Sequence, residues 1–138
     1  MPKPFHYAFL VTDLASTRRF YGTILGCREG RSTDAWVDFD FFGNQISAHL
    51  SGAPATARDH AVVDGIAVPM PHFGAILDWD EFHALAARIR AAGVGFVIEP
   101  RLRFAGRPAE QATMFLLDPS ANALEFKAFR RPGHVFTA

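Results

Sequence analysis

The chain has 138 residues, with 14 Lys and Arg against 14 Asp and Glu, 49% hydrophobic and 20% charged. That fits one globular domain and excludes a disordered polyelectrolyte and a phosphate-tracking nucleic-acid binder. The single cysteine, Cys27, excludes an intrachain disulfide and a thiolate zinc cluster, so a reducing, cytoplasmic compartment fits. No apolar run approaches the ~20 residues that cross a bilayer, and residues 1–6 lack the basic-then-apolar plan of a signal peptide.

Phe5 to Thr12 is an apolar, aromatic-rich run that reads as a buried strand. Asp13 follows as a helix N-cap; Leu14, Tyr21, Ile24 and Leu25 recur at helical spacing, and Gly26 closes the helix. Next, Ala35 to Phe42 and Gln45 to Leu50 read as two strands joined by a Gly43-Asn44 turn, so the first module, about residues 1–52, is strand, helix and about three strands. Residues 51–69, rich in Ala, Asp, Gly and Pro, read as a connector.

The plan then repeats over about residues 70–138. Phe73 to Leu77 reads as a strand, Asp78 or Asp80 as a cap, Phe82, Leu85, Ala86 and Ile89 as a buried helical stripe, and Gly93 as its end. Val94 to Ile98, Thr113 to Leu117 and Ala123 to Phe129 are further strands, the last two joined by a turn at residues 118–122 with Pro119 at its second position. The expected fold class is α+β, built from a duplicated strand-helix-strand-strand-strand unit.

His6 and His72 open the corresponding strands of the two modules. Glu125 interrupts the last apolar strand between Leu124 and Phe126, which is costly unless a cation pairs with it. A lysine or arginine would serve; so would a divalent metal, since two imidazoles and one carboxylate form a facial triad suited to Fe(II), Mn(II) or Zn(II). His49 is a candidate acid-base group with Gln45 on the same strand face. Arg103, in a loop read from Pro100 to Ala112, is a candidate partner for an anionic substrate, and Gln111 a candidate support for a metal ligand. His60, His83 and His134 read as surface histidines, Cys27 as a packing thiol, and Lys127, Arg130 and Arg131 as a solvated edge.

The segment His6 to Leu14, with Arg19-Phe20-Tyr21 and Leu25-Gly26, resembles the opening of the vicinal oxygen chelate superfamily, which includes glyoxalase I, fosfomycin-resistance enzymes, bleomycin-binding proteins and extradiol dioxygenases. Asp118 to Phe126 resembles its C-terminal signature, with Ala121 where glycine is common. The resemblance implies paired βαβββ modules in a cupped, mostly antiparallel eight-stranded sheet around a metal cavity, with His6, His72 and Glu125 as ligands on the first, fifth and eighth strands. It also implies a homodimer. Residues 68–74 and 110–115 are most similar to short bacterial proteins regarded as extradiol-type dioxygenases, although Phe115 and Leu117 occupy the strand where ring-opening enzymes carry acid-base side chains. The expectation is an Fe(II)-dependent dioxygenase using O₂ on a small vicinal-oxygen substrate. The alternatives are a glyoxalase-type isomerase or fosfomycin-resistance-type transferase using Mn(II), Zn(II) or Ni(II), and a metal-free drug-binding protein.

Overall fold

The structure is a computed structural model that describes residues 3–52 and 59–136. It divides into two compact units, Met1–Ala57 with Asp118–Asn122, and Arg58–Leu117 with Ala123–Ala138. No helix among the described residues is long and apolar enough to cross a membrane.

In the first unit β1 (His6–Val11) leads into α1 (Leu14–Thr17), which continues as π-helical turns over Arg18–Ile24 before β2 (Arg28–Ser32), β3 (Trp36–Phe41) and β4 (Asn44–Leu50). Asp13 caps α1 as its sequence position predicts, its carboxylate accepting the Ser16 N–H at 2.7 Å. The strands are ordered β1-β4-β3-β2, with β1 and β4 parallel and the other pairs antiparallel. The turn between β3 and β4 falls one residue earlier than the sequence suggests. Phe42 and Gly43 are its central residues, both at positive φ (51° and 90°), and Asn44 already pairs with Phe41. This two-residue geometry matches the right-handed twist of the strands, and Phe42 accepts the strained conformation to achieve it.

Four of the 14 phenylalanines gather in this unit's core. The Tyr21 ring, fully buried, has Phe9, Phe20, Phe39 and Phe41 centroids 4.9 to 6.4 Å away, and Val37, Ile46 and Ala48 complete the packing. The Tyr21 hydroxyl donates to Asp118 at 2.8 Å, so the turn at 118–122 is a structural device of the first unit. Asp118 also accepts from the Ser120 and Asn122 backbone N–H groups and from the Asn122 side chain, while the Ser120 hydroxyl accepts from the Thr12 N–H just after β1 and the Asn122 amide donates to the Leu10 carbonyl of β1. Burial, first, and the Asp118 carboxylate hold the Tyr21 hydroxyl far above its ordinary pKa.

The second unit repeats the order with one addition. Residues 59–69, expected as connector, form with Met70 a hairpin of β5 (Asp59–Val63) and β6 (Ile66–Met70). Its turn is Asp64-Gly65, with φ of 51° and 75°. The expected strand from Phe73 to Leu77 is split into β7 (His72–Phe73) and β8 (Ile76–Leu77) around Gly74 and Ala75. The cause is close approach: a methyl group on Gly74 would overlap the Glu125 carbonyl group. After these come α2 (Trp79–Ala91), β9 (Phe96–Arg103), β10 (Gln111–Leu117) and β11 (Ala123–Phe129), in the order β7-β11-β10-β9, with β8 also pairing β11. The α2 stripe Phe82, Leu85, Ala86 and Ile89 is buried as its spacing predicts. The sequence places Arg103 in a loop, but β9 continues through Pro100 to Arg103. An edge strand tolerates a residue without an N–H, and β9 is the edge.

Candidate functional site

Side chains alternate between the two faces of a strand, so the register of β9, β10 and β11 fixes which residues share a face. Arg103, Gln111 and Phe129 form one cross-strand row; Arg101, Thr113 and Lys127 form the next; Ile98, Phe115 and Glu125 form the third. His72 pairs with Ala123, two residues before Glu125, and so joins the same face at its far end.

The expected cost of burying Glu125 is met by a cluster of partners. Its side chain is 12% exposed, and the Thr113 hydroxyl donates to Oε2 at 2.6 Å. Oε1 faces His72 Nε2 at 3.4 Å and Lys127 Nζ at 3.6 Å. Both distances exceed a good hydrogen bond, so Oε1 is attracted by charge yet not closely bonded. Lys127, expected on a solvated edge, instead turns its ammonium toward this carboxylate. Neighbouring Arg130 is also engaged, bonding Glu110 at 2.9 Å and lying 3.9 Å over the Trp79 ring.

The orientation of His72 is set from behind. Its Nδ1 lies 2.8 Å from the Pro69 carbonyl oxygen, which can only accept, so Nδ1 carries the proton. In the neutral ring Nε2 therefore presents a lone pair toward a carboxylate oxygen, an arrangement that calls for a proton or a cation between them. Two ligands bound at about 2.1 Å to one ion stand about 3.0 to 3.4 Å apart, so the observed 3.4 Å fits a shared divalent ion. His72 and Glu125 also line one recess of about 150 Å³, with Gly74 and Lys127. The Phe115 ring meets His72 edge-on at 4.9 Å.

In the first unit His6 shows the same device by another route. Its Nδ1 lies 2.9 Å from Gln45 Oε1, an acceptor, so the proton is again on Nδ1 and Nε2 is bare. The Gln45 amide is itself oriented by donating to Asp38 at 3.0 Å, and buried Asp38 is bonded by the Ser47 hydroxyl. A carboxylate thus holds this imidazole through an amide, as carboxylates and carbonyls hold ligand histidines in metal sites. The sequence points to Gln45 only as a neighbour of His49; the bond to His6 follows from the parallel pairing of β1 and β4.

The structure thus brings His72 and Glu125 together, with Thr113 and Lys127, and places His6 on the other unit. Among the described residues no three His, Cys, Asp or Glu side chains form a group able to hold a metal ion. His49 is exposed on the His6 face of β4, beside Trp36 with ring centroids 6.2 Å apart. Arg103 is tied to Asp64 through Nε and, at 3.2 Å, through Nη2. Gln111 lies two residues from Thr113 on β10; it is Thr113 that bonds Glu125.

A family model described as the Glyoxalase/Bleomycin resistance protein/Dioxygenase superfamily matches residues 3–126. Among solved structures, a glyoxalase/bleomycin resistance protein/dioxygenase from Alicyclobacillus acidocaldarius is 31% identical, with a TM-score of 0.80 over 97% of this chain and 96% of that one. A genomically encoded fosfomycin resistance protein from Listeria monocytogenes shares the fold at 20% identity and a TM-score of 0.70, covering 93% of each chain. A glyoxalase/dioxygenase from Nostoc punctiforme does so at 18% identity and 0.71, over 94% of this chain and 92% of that one. No curated protein matches the sequence.

Proposed function

Because the chain belongs to the glyoxalase/bleomycin resistance protein/dioxygenase superfamily, we propose that it is a metal-dependent enzyme acting on a small substrate through two adjacent oxygens, with His6, His72 and Glu125 as the ligands. The observation that carries this reading is the His72 ring, locked by the Pro69 carbonyl so that a bare Nε2 faces Glu125 Oε1 at 3.4 Å. A homodimer is part of this reading.

Each surrounding residue has a task that its contacts support. Thr113 fixes Oε2 of Glu125 and leaves Oε1 available. Phe115 covers the imidazole edge-on with apolar surface, which limits water on that side. Lys127 offsets the carboxylate charge and offers a donor to an anionic oxygen of the substrate. His49, on the His6 face of the first unit's sheet, is the candidate proton carrier. A bound divalent ion would supply Lewis acidity toward a substrate hydroxyl and, as Fe(II), redox chemistry with O₂. Two neutral imidazoles and one carboxylate leave such a site at about +1, which suits a singly deprotonated diol.

On this reading the reaction is extradiol-type dioxygenation of a vicinal diol. A second reading keeps the ligands and replaces the oxidation with Lewis-acid isomerisation or transfer using Mn(II), Zn(II) or Ni(II). It is favoured by Phe115, which pairs with Glu125 across β10 and β11 where an acid-base group would serve ring opening. Anaerobic reconstitution with Fe(II), followed by O₂-uptake measurements with a catechol panel, separates them. Uptake coupled to product is expected for the first reading; bound iron without uptake on any catechol overturns it in favour of the second.

A further inference from the structure

Lys127 is shared by two hollows of the second unit. It lines the recess of His72 and Glu125, and also a cavity of about 560 Å³ bounded by Arg103, Phe104, Arg107, Gln111 and Phe129. That volume lies in the range of small-molecule sites. The cavity lies at the other end of the same sheet face: two residues along a strand advance about 7 Å, so the row of Lys127 stands about 7 Å from Glu125 and the row of Gln111 about twice that.

Charge and hydrogen bonding in this cavity are both incomplete. Arg101, Arg103, Arg107 and Lys127 gather on or beside it, whereas the carboxylates that meet them are two, Asp64 with Arg101 and Arg103, and Glu125 with Lys127. Arg107 has no carboxylate partner among the described residues. Gln111 is 6% exposed, and its Oε1 is buried without a hydrogen-bond partner; its amide nitrogen reaches only the Ala109 carbonyl, at 3.5 Å. In the next row the buried Nε of Arg101 also lacks a partner. Buried polar atoms are ordinarily satisfied, so an acceptor and a donor left over on one face point to a ligand that supplies the complement of each. The backbone agrees with that reading, since Phe104 on the cavity wall holds a left-handed φ of 55°, a conformation that bulky residues keep where the surroundings impose it.

We propose that this cavity binds the anionic group of a small organic acid that also carries a hydroxyl or N–H donor. The anion is held by Arg107, Lys127 and the guanidiniums of Arg101 and Arg103; the donor meets Gln111 Oε1, and an apolar body lies against Phe104 and Phe129. As a statement about the enzyme's substrate this rests on the metal-centre reading above, with the reacting oxygens at the Glu125 end of the face and the acid group one or two rows away. As a statement about binding it needs no metal.

The test is isothermal titration of the full chain in EDTA with 4-hydroxybenzoate, its neutral isostere 4-hydroxybenzamide, and benzoate. The acid is expected to bind at least tenfold more tightly than the amide and severalfold more tightly than benzoate, with affinity falling as salt rises. Arg107→Gln, at an exposed position, is expected to weaken the acid at least fivefold and leave the amide unchanged; Gln111→Leu is expected to abolish the preference over benzoate. Equal affinity for acid and amide, or no acid binding at millimolar concentration, overturns the proposal. Running the titration without metal keeps the two readings separable. Acid binding by a protein that takes up no metal upholds this site and removes the metal centre, whereas metal uptake without acid binding does the reverse.

Discussion

The Gly74→Ala substitution probes the geometry on which the candidate site depends. Gly74 lies between β7 and β8, which pair with β11 on either side of Glu125. An added Cβ would stand 2.5 Å from the Glu125 carbonyl carbon and 3.2 Å from its nitrogen. The Glu125 carbonyl oxygen would be nearer still, and nonbonded contact is ordinarily about 3.5 Å, so the β7–β8 segment must retreat by well over 1 Å. That retreat lengthens the bond from the Lys127 N–H to the Ala75 carbonyl, already 3.2 Å, beyond hydrogen-bond range and strains the parallel pairings next to it. With two to four ladder bonds weakened at about 1 kcal/mol each, the expected loss is about 3 kcal/mol. The ~0.4–1 kcal/mol that alanine gains over glycine through the unfolded chain does not offset it. The same movement carries His72 away from Glu125, from 3.4 Å to beyond about 4 Å, and should weaken metal binding at least tenfold. Urea denaturation measures the first effect and calorimetric metal titration the second. A variant within about 0.5 kcal/mol of the parent and equal in metal affinity would refute the reasoning.

Tyr21→Phe keeps the ring and removes the hydroxyl that bonds buried Asp118; a loss of about 1.5–3 kcal/mol in urea denaturation is expected, the range for hydrogen bonds to charged groups, and a neutral result would show that the bond adds nothing. Gln45→Leu should lower metal affinity about 10- to 100-fold, and loss of its bond to buried Asp38 should cost about 1.5–3 kcal/mol in urea denaturation; unchanged metal affinity would show that the amide does not hold His6 as a ligand. Stability should fall at both ends of the pH range. Asp64, lowered by its Arg103 bond, and Glu110, lowered by the Gly106 N–H and then Arg130, bind fewer protons folded than unfolded, so their contribution is present above the ordinary carboxylate range and lost as pH falls through the lowered values. Tyr21, raised by burial and Asp118, keeps its proton folded while the unfolded chain releases it near pH 10, so stability falls as pH rises above 10. Asp64→Asn should flatten the acid limb and Tyr21→Phe the alkaline one.

The parts of the fold written locally were legible. The Asp13 cap, the α2 stripe and the strand 123–129 follow from spacing and from a capping side chain, and the duplicated order of elements is visible as the same punctuation twice. Glu125 was conspicuous because a carboxylate in an apolar strand needs a cation. Its partners were not legible, since Thr113 and Lys127 join it through cross-strand register, and the bond from Gln45 to His6 spans 39 residues. Two differences between sequence and structure have local signals: Asp64-Gly65, a strong short hairpin signal, lies inside the expected connector, and Pro100 reads as a loop residue although an edge strand can hold it. Gly74 carried no sequence-level sign of the carbonyl that crosses it.

In the proposed metal centre a buried carboxylate and two imidazoles, each held in the tautomer that leaves Nε2 bare, bind one ion. Elemental analysis of the natively purified protein beside Glu125→Ala, His72→Ala and His6→Ala tests it most directly. Close to one divalent ion per chain is expected in the parent, with most of it lost in each variant. Equal metal content in all four, or none in the parent even after reconstitution, would contradict it.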